Sequence, residues 1–268
     1  MNRYASFALA LCAVGLAACD KTAVQDITAP ATGARVKFFN FSVGSPGVNF
    51  YANDAKITAI GSTTCSPPAD TTTACKTTGA EPTTGTAYAA PGNAALYNEI
   101  TPGQVTFAGK IAATTDKGLA VATVAGQVDN NKYYSFFMSG AYDATAKKAE
   151  AFLVEDAIPD TPDFTQTYVR FVNAISNSQP MTLFAKNTVT GTESAAGAAI
   201  AYKAAGTFTG IPPGVYDLNT RTAGSTTNVI TRAAVSFVAG HVYTVTARGT
   251  IGSTVTANQP ALDNTANR

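Results

Sequence analysis

The sequence predicts an all-β protein composed of antiparallel β-sandwiches. Short segments alternate apolar and polar residues with the period of a strand, as Val242–Arg248 does. Turn-forming pairs such as Pro102–Gly103 and Pro213–Gly214 separate these segments at short intervals. After residue 18, no window has the i, i+3, i+4 apolar spacing of an amphipathic helix. Many short strands separated by tight turns are typical of sandwich folds.

The first residues differ in character from the rest of the chain. A single positive charge, Arg3, precedes a short apolar run that ends in Leu16–Cys19, which is typical of a secretory signal peptide. The run is shorter than the roughly 20 residues that a membrane-spanning helix needs. Leu-Ala-Ala-Cys resembles the bacterial lipobox, whose cysteine is lipidated. We therefore predict a cleaved lipoprotein signal peptide over residues 1–18 and a lipidated N-terminal tether, beginning at Cys19, over residues 19–33.

Charge excludes some classes of partner. Cleavage removes Arg3 and no acid, so 18 basic residues become 17 against 17 acidic residues. Only 13% of residues are charged and no basic run occurs, so a nucleic-acid partner is not expected. The N-terminal lipid would attach the protein to a membrane. We expect a location in the bacterial cell envelope, on the periplasmic or cell-surface face.

One pattern occurs twice along the chain. Val36–Asn40 and Val169–Asn173 both read apolar, cation, apolar, apolar, Asn. Three further pairs of segments follow in the same order: Val48–Ala52 with Met181–Ala185, Ile100–Phe107 with Ile211–Leu218, and Val128–Tyr134 with Phe237–Tyr243. Such self-similarity indicates internal repeats. We predict two tandem antiparallel Ig-like β-sandwich domains, repeat 1 over residues 34–157 and repeat 2 over residues 166–268.

The alignment predicts how the repeats superpose. Equivalent residues should occupy equivalent strands, and the apolar ones should be buried: Phe38 with Phe171, Asn40 with Asn173, Phe50 with Leu183, Phe107 with Leu218, and Tyr134 with Tyr243. Gly103 and Gly214 should have positive φ, as position i+2 of a type II turn requires. Residues 158–165 should form an extended linker, because Pro159 and Pro162 oppose helix.

Repeat 1 carries an insertion over residues 61–85 that is rich in Thr, Pro and Ala. It contains Cys65 and Cys75, which an oxidising envelope would allow to pair. A disulfide around so short a loop stabilises by about 2–3 kcal/mol. The alternative, a pair of metal thiolates, lacks a nearby His or further Cys. We predict a Cys65–Cys75 disulfide that holds a projecting loop.

The repeated motifs resemble a bacterial envelope family catalogued as domain of unknown function 4397. Val169–Ala174, Pro212–Tyr216 and Gly240–Val245 are similar to its opening, central and final motifs. Repeat 1 departs from the pattern at Phe41 and Gln104. The resemblance implies a secreted or lipid-anchored β-domain, and it brings no catalytic residues because the family has no assigned chemistry.

Candidate chemistry is sparse, and no catalytic residues, enzyme activity or cofactors are predicted. His241 is the single histidine and is expected to be a surface turn residue. Paired-carboxylate hydrolysis does not fit, because no acids recur as a matched pair in both repeats. Aromatic residues over Tyr133–Phe137 suggest sugar stacking, but packing within strands is the preferred interpretation.

The densest acidic stretch joins the two repeats. Glu155, Asp156, Asp160 and Asp163 are weak calcium candidates, because carboxylates suit Ca²⁺ but their spacing matches no defined calcium loop.

The function expected from these observations is a non-enzymatic, lipid-anchored envelope protein for binding, adhesion or envelope organisation. Its partner would be an envelope protein or a glycan. The alternatives are a carbohydrate- or peptidoglycan-binding module and, more distantly, an envelope hydrolase.

Overall fold

Four β-sheets account for most of the fold, and a fifth has only two short strands. The computed structural model describes residues 32–58, 63–64, 76–77 and 84–267. The strands are β1 (Ala34–Asn40), β2 (Val48–Ala52), β3 (Ala55–Lys56), β4 (Thr63–Thr64), β5 (Lys76–Thr77), β6 (Ala90–Pro91), β7 (Asn98–Ile100), β8 (Gly103–Ile111), β9 (Ala120–Val128), β10 (Tyr133–Asp143), β11 (Lys148–Glu155), β12 (Thr167–Asn173), β13 (Met181–Asn187), β14 (Glu193–Ala195), β15 (Ala204–Ala205), β16 (Thr209–Ile211), β17 (Gly214–Thr222), β18 (Ile230–Phe237), β19 (Val242–Arg248) and β20 (Ala261–Ala266). Short helical turns occur at Gly92–Ala95 and Thr256–Asn258.

The sheets form two pairs with the same strand order. Sheet 1 has the order β11-β10-β1-β6, with β7 also on β1, and sheet 2 has the order β3-β2-β8-β9. Sheet 3 has the order β15-β12-β19-β20, with β16 also on β12, and sheet 4 has the order β14-β13-β17-β18. Each strand of sheets 1 and 2 thus has a counterpart in sheets 3 and 4. We call residues 34–155 the first half and residues 167–267 the second half.

The all-β sandwich predicted from the sequence is confirmed, with one departure from antiparallel pairing in each half. Strand β1 pairs in parallel with β10, and β12 pairs in parallel with β19. Parallel neighbours need a long crossover connection. The intervening strands of the facing sheet provide it, because the chain passes through sheet 2 or sheet 4 before it returns. Sequence alternation alone does not distinguish the two directions.

Each half has its own hydrophobic core. In the first half the rings of Phe38 and Phe50 stack with centroids 5.3 Å apart, and Phe107 and Phe136 pack around Phe38. In the second half Phe171, Leu183 and Leu218 occupy the equivalent buried positions. The apolar residues predicted to be buried at equivalent positions are indeed buried. Strand alternation explains this, because one face of each sheet points into its own sandwich.

Backbone conformations match between the halves at several turns. Asn131 and Gly240, which the sequence aligns, both adopt left-handed backbone at φ 61° and 74°. Gly103 and Gly214 have positive φ, at 133° and 158°, but these values exceed the roughly 80° of a type II turn. Both glycines are the first residues of strands, so their backbones are already becoming extended.

The connector between the halves is not extended throughout, because it bends at Asp160–Thr161 and turns at Phe164–Thr165, and the halves are closely packed. Residues 158–165 contain no helix or strand. Gly33–Arg268 forms one compact unit, although it contains two separate cores. Within the described part of the chain, no helix is long and apolar enough to cross a membrane. The predicted signal segment and Cys19 lie outside the described residues.

Candidate functional site at the junction of the two halves

A third apolar cluster lies between sheets 1 and 3. Alternation along β1 points Phe38 into the first core and Phe39 to the opposite face of the sheet. The ring of Phe137 stacks on Phe39 at 4.8 Å and on Phe152 at 5.0 Å between centroids. Val172 on β12 and Ala174, directly after it, complete the contact from the second half. The outer faces of sheets 1 and 3 therefore pack against each other.

A buried ion pair lies at the same junction. Arg170 on β12 and Asp156, directly after β11, are each 1% exposed. The guanidinium Nη2 of Arg170 donates to Oδ1 of Asp156. Its Nη1 donates to the carbonyl oxygen of Glu155 at 2.9 Å, and its Nε donates to Oγ1 of Thr244 at 2.9 Å. All three guanidinium nitrogens are thereby satisfied in a site without access to water.

The carboxylate of Asp156 has partners from the first half as well. The hydroxyl of Tyr97 donates to Oδ2 at 2.7 Å, and the hydroxyl of Ser135 donates to the same oxygen at 2.8 Å. Buried carboxylates are tolerated only when they are paired and hydrogen-bonded in this way. Asp156 therefore links strand β10, the segment before β7 and strand β12 of the other half.

The contacts of Lys37 mirror those of Arg170. These two residues are the cations of the repeated motif, and they occupy equivalent positions on β1 and β12. The Nζ of Lys37 donates to the carbonyl oxygen of Ala266, whose register position matches that of Glu155. Each cation thus reaches the end of the last strand of the other half.

Aromatic contacts repeat this reciprocity. The Nζ of Lys37 lies 4.3 Å from the centroid of the Tyr97 ring, and Cζ of Arg170 lies 4.8 Å from that of Phe208. Tyr97 and Phe208 are equivalent, because each lies three residues before the isoleucine that ends β7 or β16. Reciprocal contacts between equivalent residues define an isologous interface, the kind found in two-fold dimers. Here it is formed within one chain.

Burial changes the proton affinities at this junction. Desolvation lowers the pKa of Lys37 to about 8, although the charge of Asp156 opposes that shift. Desolvation also raises the pKa of Tyr97, and the charge of Asp156 raises it further. At neutral pH Lys37 is therefore charged at a free-energy cost, while the phenol of Tyr97 remains a hydrogen-bond donor.

The lowered pKa of Lys37 predicts a specific dependence of stability on pH. Between about pH 8 and the unfolded value of 10.5, the unfolded chain holds a proton that the folded chain has released. The free energy of unfolding should therefore rise across this window, by about 3 kcal/mol for a shift of this size. Above pH 10 the raised pKa of Tyr97 acts in the opposite sense.

Chemical denaturation of the wild type and of Lys37→Met at pH 7.5 and 10.5 measures this effect. The stability difference, wild type minus variant, should increase between the two pH values. The many exposed lysines and tyrosines titrate in both proteins and cancel in the difference. A difference independent of pH would show that Lys37 titrates normally in the folded protein.

The geometry of this cluster fits a structural role. Lys37, Asp156 and Arg170 are each at most 2% exposed, and their polar atoms bond to one another, to neighbouring hydroxyls or to backbone carbonyls. A catalytic group must come within hydrogen-bond reach of a substrate. These side chains are enclosed by protein. Their ion pair and hydrogen bonds therefore hold one half in position relative to the other.

The four weak calcium candidates do not come together. Asp156 binds Arg170, and Glu155 pairs with Lys132 at 3.2 Å. Asp163 accepts from the hydroxyl and the amide of Thr165 at 2.7 and 2.9 Å, and these bonds lower its pKa. No group of three His, Cys, Asp or Glu suited to a metal occurs in the described ranges. Asp160 lies at a bend of the connector.

The other residues singled out in the sequence are a surface histidine, strand aromatics and two cysteines outside the described residues. His241 is exposed at a turn, with Nδ1 3.1 Å from the carbonyl oxygen of Ala239. In the aromatic stretch, Tyr134, Phe136 and Phe137 are buried. Cys65 and Cys75 lie outside the described residues, but their chain neighbours Thr64 and Lys76 pair directly between β4 and β5.

The sequence contains the repeated motif but does not reveal its role. Asp156 stands in the sequence as one of four scattered acids, and no pattern there assigns a function to Lys37 or Arg170. The signal was present, because a cation in the middle of an otherwise apolar strand recurs in both repeats. A charge conserved in kind at a strand centre predicts a buried partner.

Comparisons with known proteins agree with part of this picture. A search of characterised proteins finds no match. Among solved structures, the Bacillus anthracis TIE protein is similar at a TM-score of 0.23 and 10% identity, over 81% of this chain and 33% of that one. The chain thus spans about a third of the length of that structure. Residues 167–267 match the model of a family described as "Domain of unknown function (DUF4397)". The second half of the chain is therefore similar to one domain of that family.

Proposed function

We propose that the protein is a non-enzymatic, lipid-anchored component of the bacterial cell envelope, in which two tandem copies of one domain form a single rigid body. The family match supports the identity of the second copy. The matching strand order of sheets 1 and 2 supports a first copy with the same fold. Such a body works by binding, adhesion or envelope organisation, with its loops and outer sheet faces available to partners.

The observation that carries this proposal is the reciprocal junction. A flexible pair of domains would expose a mostly polar, hydrated interface. Here an aromatic cluster and a buried ion pair occupy the contact, so the two halves present their outer surfaces in a fixed arrangement. Rigid display suits a binding or spacer protein because no binding free energy is lost in ordering its domains.

Anchoring follows from the N-terminal sequence and has a direct test. Mass spectrometry of the membrane fraction should show an acylated Cys19 as the first residue. Cys19→Ser should abolish acylation, and the protein should leave the washed membrane fraction or accumulate uncleaved, because one positive charge and a short apolar segment do not anchor a chain alone. Ser42→Cys is the control for cysteine content, because it adds a cysteine at a position that no lipobox precedes. An unacylated wild type that begins at Met1 would contradict the proposal.

A glycan-binding role is the second candidate, and one surface favours it. On sheet 4 the guanidinium of Arg221 lies 4.6 Å from the Phe184 ring centroid and bonds both carboxylate oxygens of Glu193 at 2.7 and 2.8 Å. Asn219 and Asn228 extend this polar row. Capture experiments with residues 20–268 on peptidoglycan and glycan arrays, beside native envelope proteins, separate the two candidates. Saturable glycan binding that Arg221→Ala removes would favour the second.

A further inference from the structure

A cavity of about 450 Å³ breaks the symmetry of the junction. The side chains of Phe39 and Phe41 form part of its lining, together with Asp263 and Thr265 of the edge strand β20. Residues 94–96 form another wall. Its volume lies within the range of roughly 300–1,000 Å³ that is usual for small-molecule sites. The aromatic cluster beside it is closely packed, so this opening needs an explanation.

The other half shows what fills the equivalent space. Asp263 pairs with Thr246 across sheet 3, and its counterpart on sheet 1 is Phe152, which pairs with Phe137. The Phe152 ring stacks on Phe137 at 5.0 Å and meets the Tyr202 ring at 6.5 Å between centroids. An aromatic ring therefore occupies one side of the junction. On the other side an aspartate, whose carboxylate pairs with Arg248, leaves that space open.

A second, shorter insertion in the first half, between Gly92 and Tyr97, forms the remaining wall of the cavity. Four residues separate Gly92 from Tyr97, whereas a single residue, Thr207, separates the equivalent Gly206 and Phe208. Three of the four, Asn93, Ala94 and Ala95, adopt left-handed backbone with φ of 46°, 53° and 61°.

This backbone is disfavoured for residues other than glycine. The Nδ2 of Asn93 holds it in place by donating to the carbonyl oxygen of Ile57 at 3.0 Å. Leu96, which is 68% exposed, stands at the rim. Strained backbone that is retained beside a cavity is typical of ligand sites.

We propose that this cavity binds a small, uncharged molecule with an aromatic ring and a hydrogen-bond donor. The ring is inferred from the equivalent position of Phe152 and from the apolar lining of Phe39, Phe41 and Leu96. The donor suits the oxygen atoms of Asp263 and Thr265 on the facing wall. The ligand is uncharged because Arg248 already balances Asp263, so a charged ligand would be buried without a partner.

Calorimetric titration of residues 20–268 with indole and phenol tests this site. Cyclohexanol, which has a donor but no aromatic ring, is the ligand control. Saturable one-to-one binding of an aromatic probe is expected, with at least tenfold weaker binding of cyclohexanol. Absence of saturable binding by both aromatic probes, or equal binding of cyclohexanol, would overturn the proposal.

Two variants locate the binding. Thr265→Trp places a large ring in the cavity, and replacing residues 93–96 by one threonine copies the second half. Each should weaken binding at least tenfold, while Val189→Trp, at a position 90% exposed, should leave it unchanged. If Thr265→Trp fails to fold, the shortened turn supplies the result. Unchanged affinity in the folded variants would place the binding elsewhere, which would contradict the proposal without affecting the proposed envelope role.

Discussion

Replacing Asp156 with alanine is expected to lower the free energy of unfolding by about 3–5 kcal/mol. The substitution leaves the guanidinium of Arg170 buried at 1% exposure without its carboxylate. It also removes the acceptor for the hydroxyls of Tyr97 and Ser135. Breaking a buried pair from one side is costly, because the remaining charge has neither water nor a partner.

Urea denaturation measures this loss, and two variants calibrate it. Glu155→Ala removes the neighbouring exposed acid, which pairs with Lys132, and should cost less than about 1 kcal/mol. The double variant Asp156→Leu with Arg170→Met removes both charges and should cost less than the single change. A loss below 1 kcal/mol for Asp156→Ala would show that the ion pair contributes little to the junction.

Phe137→Ala should have an effect of similar size, about 3–5 kcal/mol. Phe137 lies outside both sandwich cores, in the cluster between the halves, and its ring contacts those of Phe39, Phe41 and Phe152. Truncation would leave a cavity in a rigid interface, which relaxes only partly. Thermal or urea denaturation provides the value.

A matched control distinguishes the junction from the surface. Phe164 is 68% exposed on the connector, so Phe164→Ala should change stability by less than about 0.5 kcal/mol. Equal, small effects of both changes would mean that the two halves do not depend on their contact. Phe136→Ala, in the first core, should be as destabilising as Phe137→Ala although it leaves the junction intact.

Most of the fold could be predicted from the sequence, because strand alternation and turn chemistry depend only on residues close together in the chain. Strand alternation predicted that Phe38 and Phe171 are buried, and turn chemistry predicted the positive φ of Gly103 and Gly214. The parallel pairing of β1 with β10 was not predictable from alternation, since both directions give the same period.

The contact between the two halves could not be predicted from the sequence. Strand alternation places Lys37 and Arg170 on the sheet faces opposite the cores, but it does not show that these faces of the two halves meet. Asp156 was missed because its partner, Arg170, lies on the first strand of the other half. The left-handed turn at Asn93–Ala95 was hidden as well, since two of its residues are alanines, which rarely adopt that backbone.

The central claim is that the junction makes two cores behave as one body, and differential scanning calorimetry of residues 20–268 tests it most directly. If the junction couples the halves, the wild type unfolds in a single transition whose calorimetric and van't Hoff enthalpies agree. Asp156→Ala should then separate the transition into two or broaden it. Two independent transitions in the wild type, unchanged by Asp156→Ala, would contradict the account.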